Sequence, residues 1–336
     1  MAYILARTRI APVMVKAETT ANYGVDSAPT PATDDLLTFD NSIVAQTASE
    51  NFAFNPHSKS FTKTKDIIGQ RWVDVSINTL FQGSGTLGAQ ANGTTALGAL
   101  FESCASKVTI TGNTSVVYQP QASLSSLKSA TIWVNHDGLI HKMAGCLGTA
   151  VLTGTPRQGV KVAYKGMGKY LIPVGTSTTF DTWTGGTNNA AACVGIVGTI
   201  TGAAPLAGPY SPIFQSFEFD LGVATAKIDD MNAATGMYGM LTTDANPTLN
   251  IKIARDTTSS IAEKFYTDWF AAGGTTHSIT FKVGSGTGNV CTFLFPTAQI
   301  VGITEEDNQG IRVQSLKYKI QHVTPGTEWS ITVAST

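Results

Sequence analysis

Gln158-Gly159-Val160-Lys161-Val162 returns near the end of the chain, with conservative changes, as Gln309-Gly310-Ile311-Arg312-Val313. The surroundings of the two copies recur in the same order. Reading backwards from each there is a strand, a strand or hairpin, a short amphipathic helix and an alternating strand. Self-similarity of this kind is what a duplicated supersecondary unit leaves behind. It predicts an all-β chain: a β-sandwich or small barrel with one flanking helix, present twice and built to sit side by side.

Working outward, the first unit is expected at residues 41–172 and the second at 213–336, with an arm at 1–40 and a low-charge connection at 173–212. In Arg71 to Asn78, Val73, Val75 and Ile77 face one way while Asp74, Ser76 and Asn78 face the other, the alternation of a half-buried strand. A helix is predicted near 94–105 from the stripe Leu97, Leu100, Phe101 and Cys104. Ser129–Asn135 and Leu139–Met143 read as a hairpin, followed by separate strands at Thr149–Thr153 and Gly159–Lys165. In the second unit Thr248–Ile253 matches the Val73–Ile77 strand. The second helix, near 260–272, carries a capping box of Ser260 and Glu263, a stripe of Ile261, Phe265 and Trp269, and a stop at Gly273-Gly274. Ser278–Val283 and Val290–Phe295 form a hairpin, and Gln299–Ile303 and Ile311–Gln321 flank an acidic tip, Glu305-Glu306-Asp307-Asn308.

Only 13% of the 336 residues are charged, against roughly 25% in an average globular chain. Glycine, threonine, serine and alanine take up the difference, while 42% of residues are hydrophobic, which argues against disorder. A net charge of −1 gives no bulk attraction to nucleic acid or anionic lipid. The four cysteines lie far apart, as buried thiols of a reducing compartment do. No stretch reaches the roughly 20 apolar residues of a membrane helix, and the N-terminal apolar run is too short for a secretory signal. Tyr3, Ile4, Leu5, Val13 and Val15 would be costly to leave in water, so the arm is expected to bind a neighbouring subunit. Thr182 to Phe217 contains no charged side chain and reads as a segment lying on protein surface.

Few stretches of the sequence fit a pattern of catalytic or binding chemistry. Gly83-Ser84-Gly85-Thr86-Leu87-Gly88 fits a dinucleotide-binding spacing, but the strand before it alternates and no second βαβ unit follows, so it reads as a loop adapting its backbone to a neighbour. His136 and His141 face each other across a hairpin with Asp137 at its turn, which reads as a solvated turn. No nucleophile–base pairing, metal set or acid–base carboxylate pair is present. No cofactor and no metal are expected, and the chain reads as non-enzymatic. Lys59, Lys63 and Lys65 near Phe61 form the one basic cluster, a solvated strand face.

Several stretches together resemble the tail tube (major tail) proteins of long-tailed bacteriophages. Glu18, Thr19, Tyr23, Gly24, Pro29 and Thr30 are similar to that family's N-terminal pattern. The run from Ser76 to Gly88 with Thr95–Cys104 resembles its strand, glycine loop and short helix. Tyr118-Gln119-Pro120, Ala130-Thr131-Ile132, Asp137-Gly138 and Gly145–Thr149 follow in the family's order, and Arg255 and the Asp307…Gly310-Ile311 hairpin carry a weaker likeness in the second unit. The resemblance implies a structural virion protein whose stacked rings form a hollow tube for genome ejection, assembled in the bacterial host cytoplasm. Its implied partners are further copies of itself, the tape-measure protein, and tail terminator and tail-tip proteins, with DNA passing through unbound and no membrane contact. The duplication favours three chains per ring over six. Tyr23, Gly24, Glu305, Glu306 and Asp307 join the arm residues as expected oligomerisation contacts, and Asp74, Ser76 and Asn78 are the expected lumen-facing residues. The competing reading is a capsid decoration or adhesion module with an outward ligand face.

Overall fold

The computed structural model describes residues 12–19, 23–38, 44–52, 67–84, 95–136, 139–175, 197–202, 209–233, 236–272, 274–284 and 288–334. The chain opens with β1 (Val13–Ala17), α1 (Pro31–Asp34) and β2 (Asp35–Leu36). The first half continues through β3 (Val44–Phe52), β4 (Ile67–Phe81), α2 (Ala96–Glu102), β5 (Ser106–Thr111), β6 (Ser115–Pro120), β7 (Ala130–Asn135), β8 (Leu139–Gly154), β9 (Val160–Tyr170) and β10 (Val174–Gly175). The second half has β11 (Val197–Thr201), β12 (Phe214–Asp220), β13 (Val223–Asp229), β14 (Met237–Ala245), β15 (Thr248–Ala254) and α3 (Ser259–Phe270). It ends with β16 (Thr276–Val283), β17 (Val290–Asn308), β18 (Ile311–Ile320) and β19 (Ser330–Ala334).

The two halves use one pairing order. β4 lies between β3 and β9, β9 pairs on with β8, β8 with β7, and β7 with β1. In the second half β15 lies between β12 and β18, β18 pairs on with β17, β17 with β16, and β16 with β11. The repeated pentapeptides open the return strands β9 and β18. Val160 sits opposite Phe81, the last residue of β4, and Val313 opposite Ala254, the last residue of β15. The second turn is tightened by Gly310, whose φ of 84° suits glycine and whose N–H donates to Asp307 Oδ1 at 3.0 Å.

The halves are then joined strand to strand. Val151–Gly154 of β8 pair with Phe217–Asp220 of β12, and β19 pairs with β6. One run of neighbouring strands therefore crosses the chain: β3, β4, β9, β8, β12, β15, β18, β17. Because opposite residues in antiparallel strands share a face, the register fixes what each face carries. Thr79, Val162, Leu152, Phe219, Leu249, Tyr318 and Ile300 stand in one cross-strand row and all are buried. Leu80, Lys161, Thr153, Glu218, Asn250, Lys317 and Gly302 form a row on the other face.

The core is continuous across the joint. Phe217 packs against Phe281 and Phe293 with ring centres 4.5 and 5.3 Å apart, and Phe81 of the first half lies 6.1 Å from Phe293. Each fully buried aromatic of this kind stabilises by roughly 1.5–3 kcal/mol.

Several expectations about local structure are corrected. The strands at 149–153 and 299–303 are parts of longer strands, β8 and β17, each kept continuous past a register shift. Glu305–Asn308 are strand residues, and the turn is Gln309-Gly310. In α3 the expected Ser260–Glu263 capping box gives way to an N-cap at Thr258 without a side-chain cap bond, and the turn leading into it is held by the Thr258 N–H donating to Asp256 Oδ1 at 2.7 Å. Its buried stripe is Ala262, Phe265 and Asp268, with Trp269 turned outward. The reason is the buried Asp268, which receives His277 Nε2 at 2.9 Å and Lys264 Nζ and so fixes the helix rotation. Phe61–Lys65, Lys59, Cys193, Asp137, Gly85–Gly93 and residues 182–196 lie outside the described residues. Gly83 is described: a β-carbon there would come within 1.9 Å of the Gly288 carbonyl, so its neighbour is the chain's own second half.

Candidate assembly interface

The arm is held by one carboxylate. Glu18, 2% exposed, accepts four hydrogen bonds: Oε2 from Gly24 N–H at 2.7 Å and Ser129 Oγ at 2.6 Å, Oε1 from Thr131 Oγ1 and Gly145 N–H, both at 2.7 Å. Gly145 has φ of 65°, and a β-carbon there would press to 3.2 Å from Gly24 Cα, so this crossing accepts glycine on both sides. One turn on, the Tyr23 hydroxyl both donates to the Met240 carbonyl and accepts the Met240 N–H. Burial pushes that phenol up to about 12. Tyr23 thereby ties the arm to the β13–β14 hairpin, which packs Met237 and Met240 on Leu147, Trp72 and Met167.

Of the residues expected to bind a neighbour, Val13 and Val15 are fully buried in their own chain, where β1 pairs with β7 and β2. Tyr23 and Gly24 likewise contact their own chain. Tyr3, Ile4 and Leu5 lie outside the described residues. Part of the uncharged stretch, β11, also pairs within the chain, with β16.

Two strand flanks point outward. Among the described residues, Val44–Ala48 of β3 pair with one strand, β4. β17 has β16 on one side up to Gln299, and from Gly302 to Asn308 it pairs, among the described residues, with β18 alone. The corresponding stretch of β8 is the one that receives β12. Beside the β17 flank sits a charged cluster. Glu305 accepts from Tyr266 Oη at 3.0 Å, Arg312 at 3.1 Å, and Arg255 and Gln314 at 3.4 Å. The Tyr266 hydrogen bond, with help from Gln314 and both arginines, holds its carboxyl below the usual carboxylate range despite some desolvation. Glu306 pairs with Lys252 at 2.8 Å. The three acidic residues therefore divide the work: Glu305 and Glu306 neutralise cations across strands and Asp307 shapes the turn.

Asp74, Ser76 and Asn78 do alternate with buried Val73, Val75 and Ile77. Their face of the sheet also carries Lys161, Lys165, Lys252, Lys317 and Lys319, interleaved with Glu218, Asp220 and Glu306. Among the described residues it is a two-signed polar surface with no continuous basic stripe. Sequence reasoning missed the role of Glu18, whose burial leaves no local signature, and Gly154, which lies under the Phe217 ring.

His136 and His141 stack edge to face with ring centres 5.0 Å apart, and His141 Nδ1 bonds the Tyr170 hydroxyl at 2.9 Å. Among the described residues no group of three or more His, Cys, Asp or Glu is arranged to hold a metal. None of the described helices is long and apolar enough to cross a membrane.

Fold and surface together define a strand-rich structural protein, duplicated in its strand order. The family model of the phage tail tube protein matches residues 8–319, and the chain belongs to that family. It is a structural component of the virion tail, and it self-assembles with further copies into the tube. No curated protein matches the chain.

Proposed function

We propose that three chains close into one ring, that residues 41–172 and 213–336 act as its two modules, and that stacked rings form a conduit for the genome. The arm (1–40) and the connection (173–212) secure the modules. The observation that carries this reading is the pairing of β8 with β12 inside the chain. That joint attaches β12, the first strand within residues 213–336, to the long strand β8 of the first half. The same operation between chains would set β3 of one copy on the open flank of β17 in the next, giving eight neighbouring strands per chain and a closed circuit. Three copies would then give six modules around a true threefold axis.

The two-signed face bearing Asp74, Ser76 and Asn78 would line the lumen. Interleaved charges offer phosphates no continuous run of cations, so DNA would pass without specific binding. Glu305, Glu306 and Asp307 would sit at the ring joint. The chain acts by assembly rather than by catalysis, and the tape-measure, terminator and tail-tip proteins are its further partners.

Electron microscopy of the purified protein tests this. The expected particles are six-lobed rings of threefold symmetry that stack into tubes. A chain that stays single at high concentration overturns the proposal. Deletion of residues 1–11 keeps β1 and the Glu18 clasp; tubes of normal length from that variant would remove the arm's extreme end from the assembly.

A further inference from the structure

Helix α3 is bonded to the sheet at two places that face different strands. Tyr266 Oη donates to Glu305 Oε1 of β17 at 3.0 Å. Two residues on, the buried Asp268 bonds in two directions. Its Oδ1 receives Lys264 Nζ from one turn back on the helix, and its Oδ2 lies 2.9 Å from His277 Nε2 of β16. His277 is 0% exposed. Phe265 of α3 and Tyr318 of β18 set their rings edge to face with the imidazole, centres 6.1 and 5.8 Å away. Just past β11 the backbone closes in, since a β-carbon on Gly202 would come within 2.5 Å of His277 Cδ2. Ala298 of β17 stands opposite His277 in the ladder. The titratable groups facing the imidazole are therefore Asp268 and Lys264 from α3 and Tyr318 from β18, while β11 and β17 bring the uncharged Gly202 and Ala298. Burial pushes the Tyr318 phenol far up, so it stays neutral.

The hydrogen bonds fix where protons can go. Despite desolvation, the Lys264 and His277 hydrogen bonds hold the Asp268 carboxyl below its ordinary range, so it acts as an acceptor. The neutral imidazole then carries its proton on Nε2 and leaves a lone pair on Nδ1. Among the described residues that Nδ1 has no hydrogen-bond partner. A second proton must sit there. Lys264 already balances Asp268, so the protonated ring adds one uncompensated positive charge and one donor without an acceptor. Both are costly in an enclosure walled by Phe265 and Tyr318. Burial accordingly lowers the imidazole's pKa, with Asp268 opposing the fall and Lys264 adding to it. Water reaches Nδ1 when α3 parts from β16.

We infer that Lys264, Asp268 and His277 form an acid-sensitive latch: a proton on His277 Nδ1 frees α3 from β16, and with it the Tyr266–Glu305 contact beside the β17 flank. The opening of α3 is a property of the single chain. Its consequence for assembly rests on the ring reading, which places the next copy on that flank. Mild acid then loosens the ring joint while the rest of the sheet stays folded.

Hydrogen exchange of the full chain, read by mass spectrometry at about pH 7 and about pH 5 and corrected for the intrinsic pH dependence of exchange, tests the latch. Protection across Ser259–Phe270 and Thr276–Val283 should fall by about tenfold or more at the lower pH, while β4 and β9 keep theirs. His277→Gln should abolish most of that fall. Lys264→Gln should blunt it as well, because the protonated imidazole then neutralises Asp268; this variant carries the comparison if His277→Gln fails to fold. Electron microscopy of assembled protein at the same two pH values reads the joint, with wild-type rings coming apart in acid and Lys264→Gln rings surviving. Unchanged protection of α3, a loss spread evenly over the sheet, or an undiminished fall in both variants overturns the latch. Opening of α3 with rings intact overturns its link to assembly. Absence of rings at neutral pH defeats the ring reading itself and leaves the exchange result standing.

Discussion

Gly154 and Phe217 stand opposite each other where the two halves of the chain are joined, and a β-carbon on Gly154 would come within 2.1 Å of Phe217 Cε1. The glycine is what lets the ring lie flat on the β8 backbone. Gly154→Ala forces the buried ring aside and is expected to destabilise the fold by about 1–3 kcal/mol. Phe217→Ala alone should cost about 3–5 kcal/mol through the cavity it leaves. If the clash is the cause, the double variant costs clearly less than the sum, since the alanine then occupies vacated space. Urea unfolding of all four proteins measures the coupling; simple additivity would dismiss the contact as the source.

Glu18 joins four donors from three parts of the chain. Glu18→Ala strands two backbone N–H groups and two hydroxyls in a site closed to solvent, each unsatisfied donor costing about 1–3 kcal/mol. A loss of about 3 kcal/mol or more is expected, with hydrogen exchange at Gly24 and Gly145 rising first. Unchanged protection at both amides would mean that the arm is held by β1 pairing alone.

Tyr23→Phe removes one hydroxyl that satisfies both the N–H and the carbonyl of Met240. The expected cost is about 1–2 kcal/mol, read as a lower melting temperature and faster exchange along Met237–Met240. Because the ring stays, β13–β14 should remain packed on Met167 and Trp72. Loss of the hairpin's signals altogether would contradict that division.

His277 gives the fold an acid-side pH dependence. Burial lowers its pKa below the ordinary value, with Asp268 partly offsetting and Lys264 adding to the fall. The unfolded chain therefore binds this proton more readily than the folded one. Stability from the neutral imidazole is complete above about pH 6.5 and is lost as pH falls through that value toward the lower folded pKa. His277→Gln should flatten the stability profile between about pH 5 and 7. An identical slope in the variant would assign the dependence to other groups.

Much of this architecture was legible in the sequence because it depends on period. Val73, Val75 and Ile77 alternate with Asp74, Ser76 and Asn78, and one buried face dictates such a pattern wherever the strand lies. The repeated pentapeptide was legible too, since both copies must turn the chain and open a strand against an alternating partner. Helix α3 was legible in its existence and extent. Its rotation was not: the pattern nominated Trp269, and the buried Asp268–His277 pair, between residues on different elements, turned the helix the other way.

The sequence by itself determined strand-rich halves, their common order and the absence of any dense charge, because these follow from alternation, turn residues and composition. Only the tertiary structure decided that β12 pairs with β8, that Glu18 staples the arm, and that α3 buries Asp268 and turns Trp269 outward. Each depends on which distant segments become neighbours, and pairing energy between strands is nearly the same for many partners until packing, as of Phe217 on Gly154, selects one.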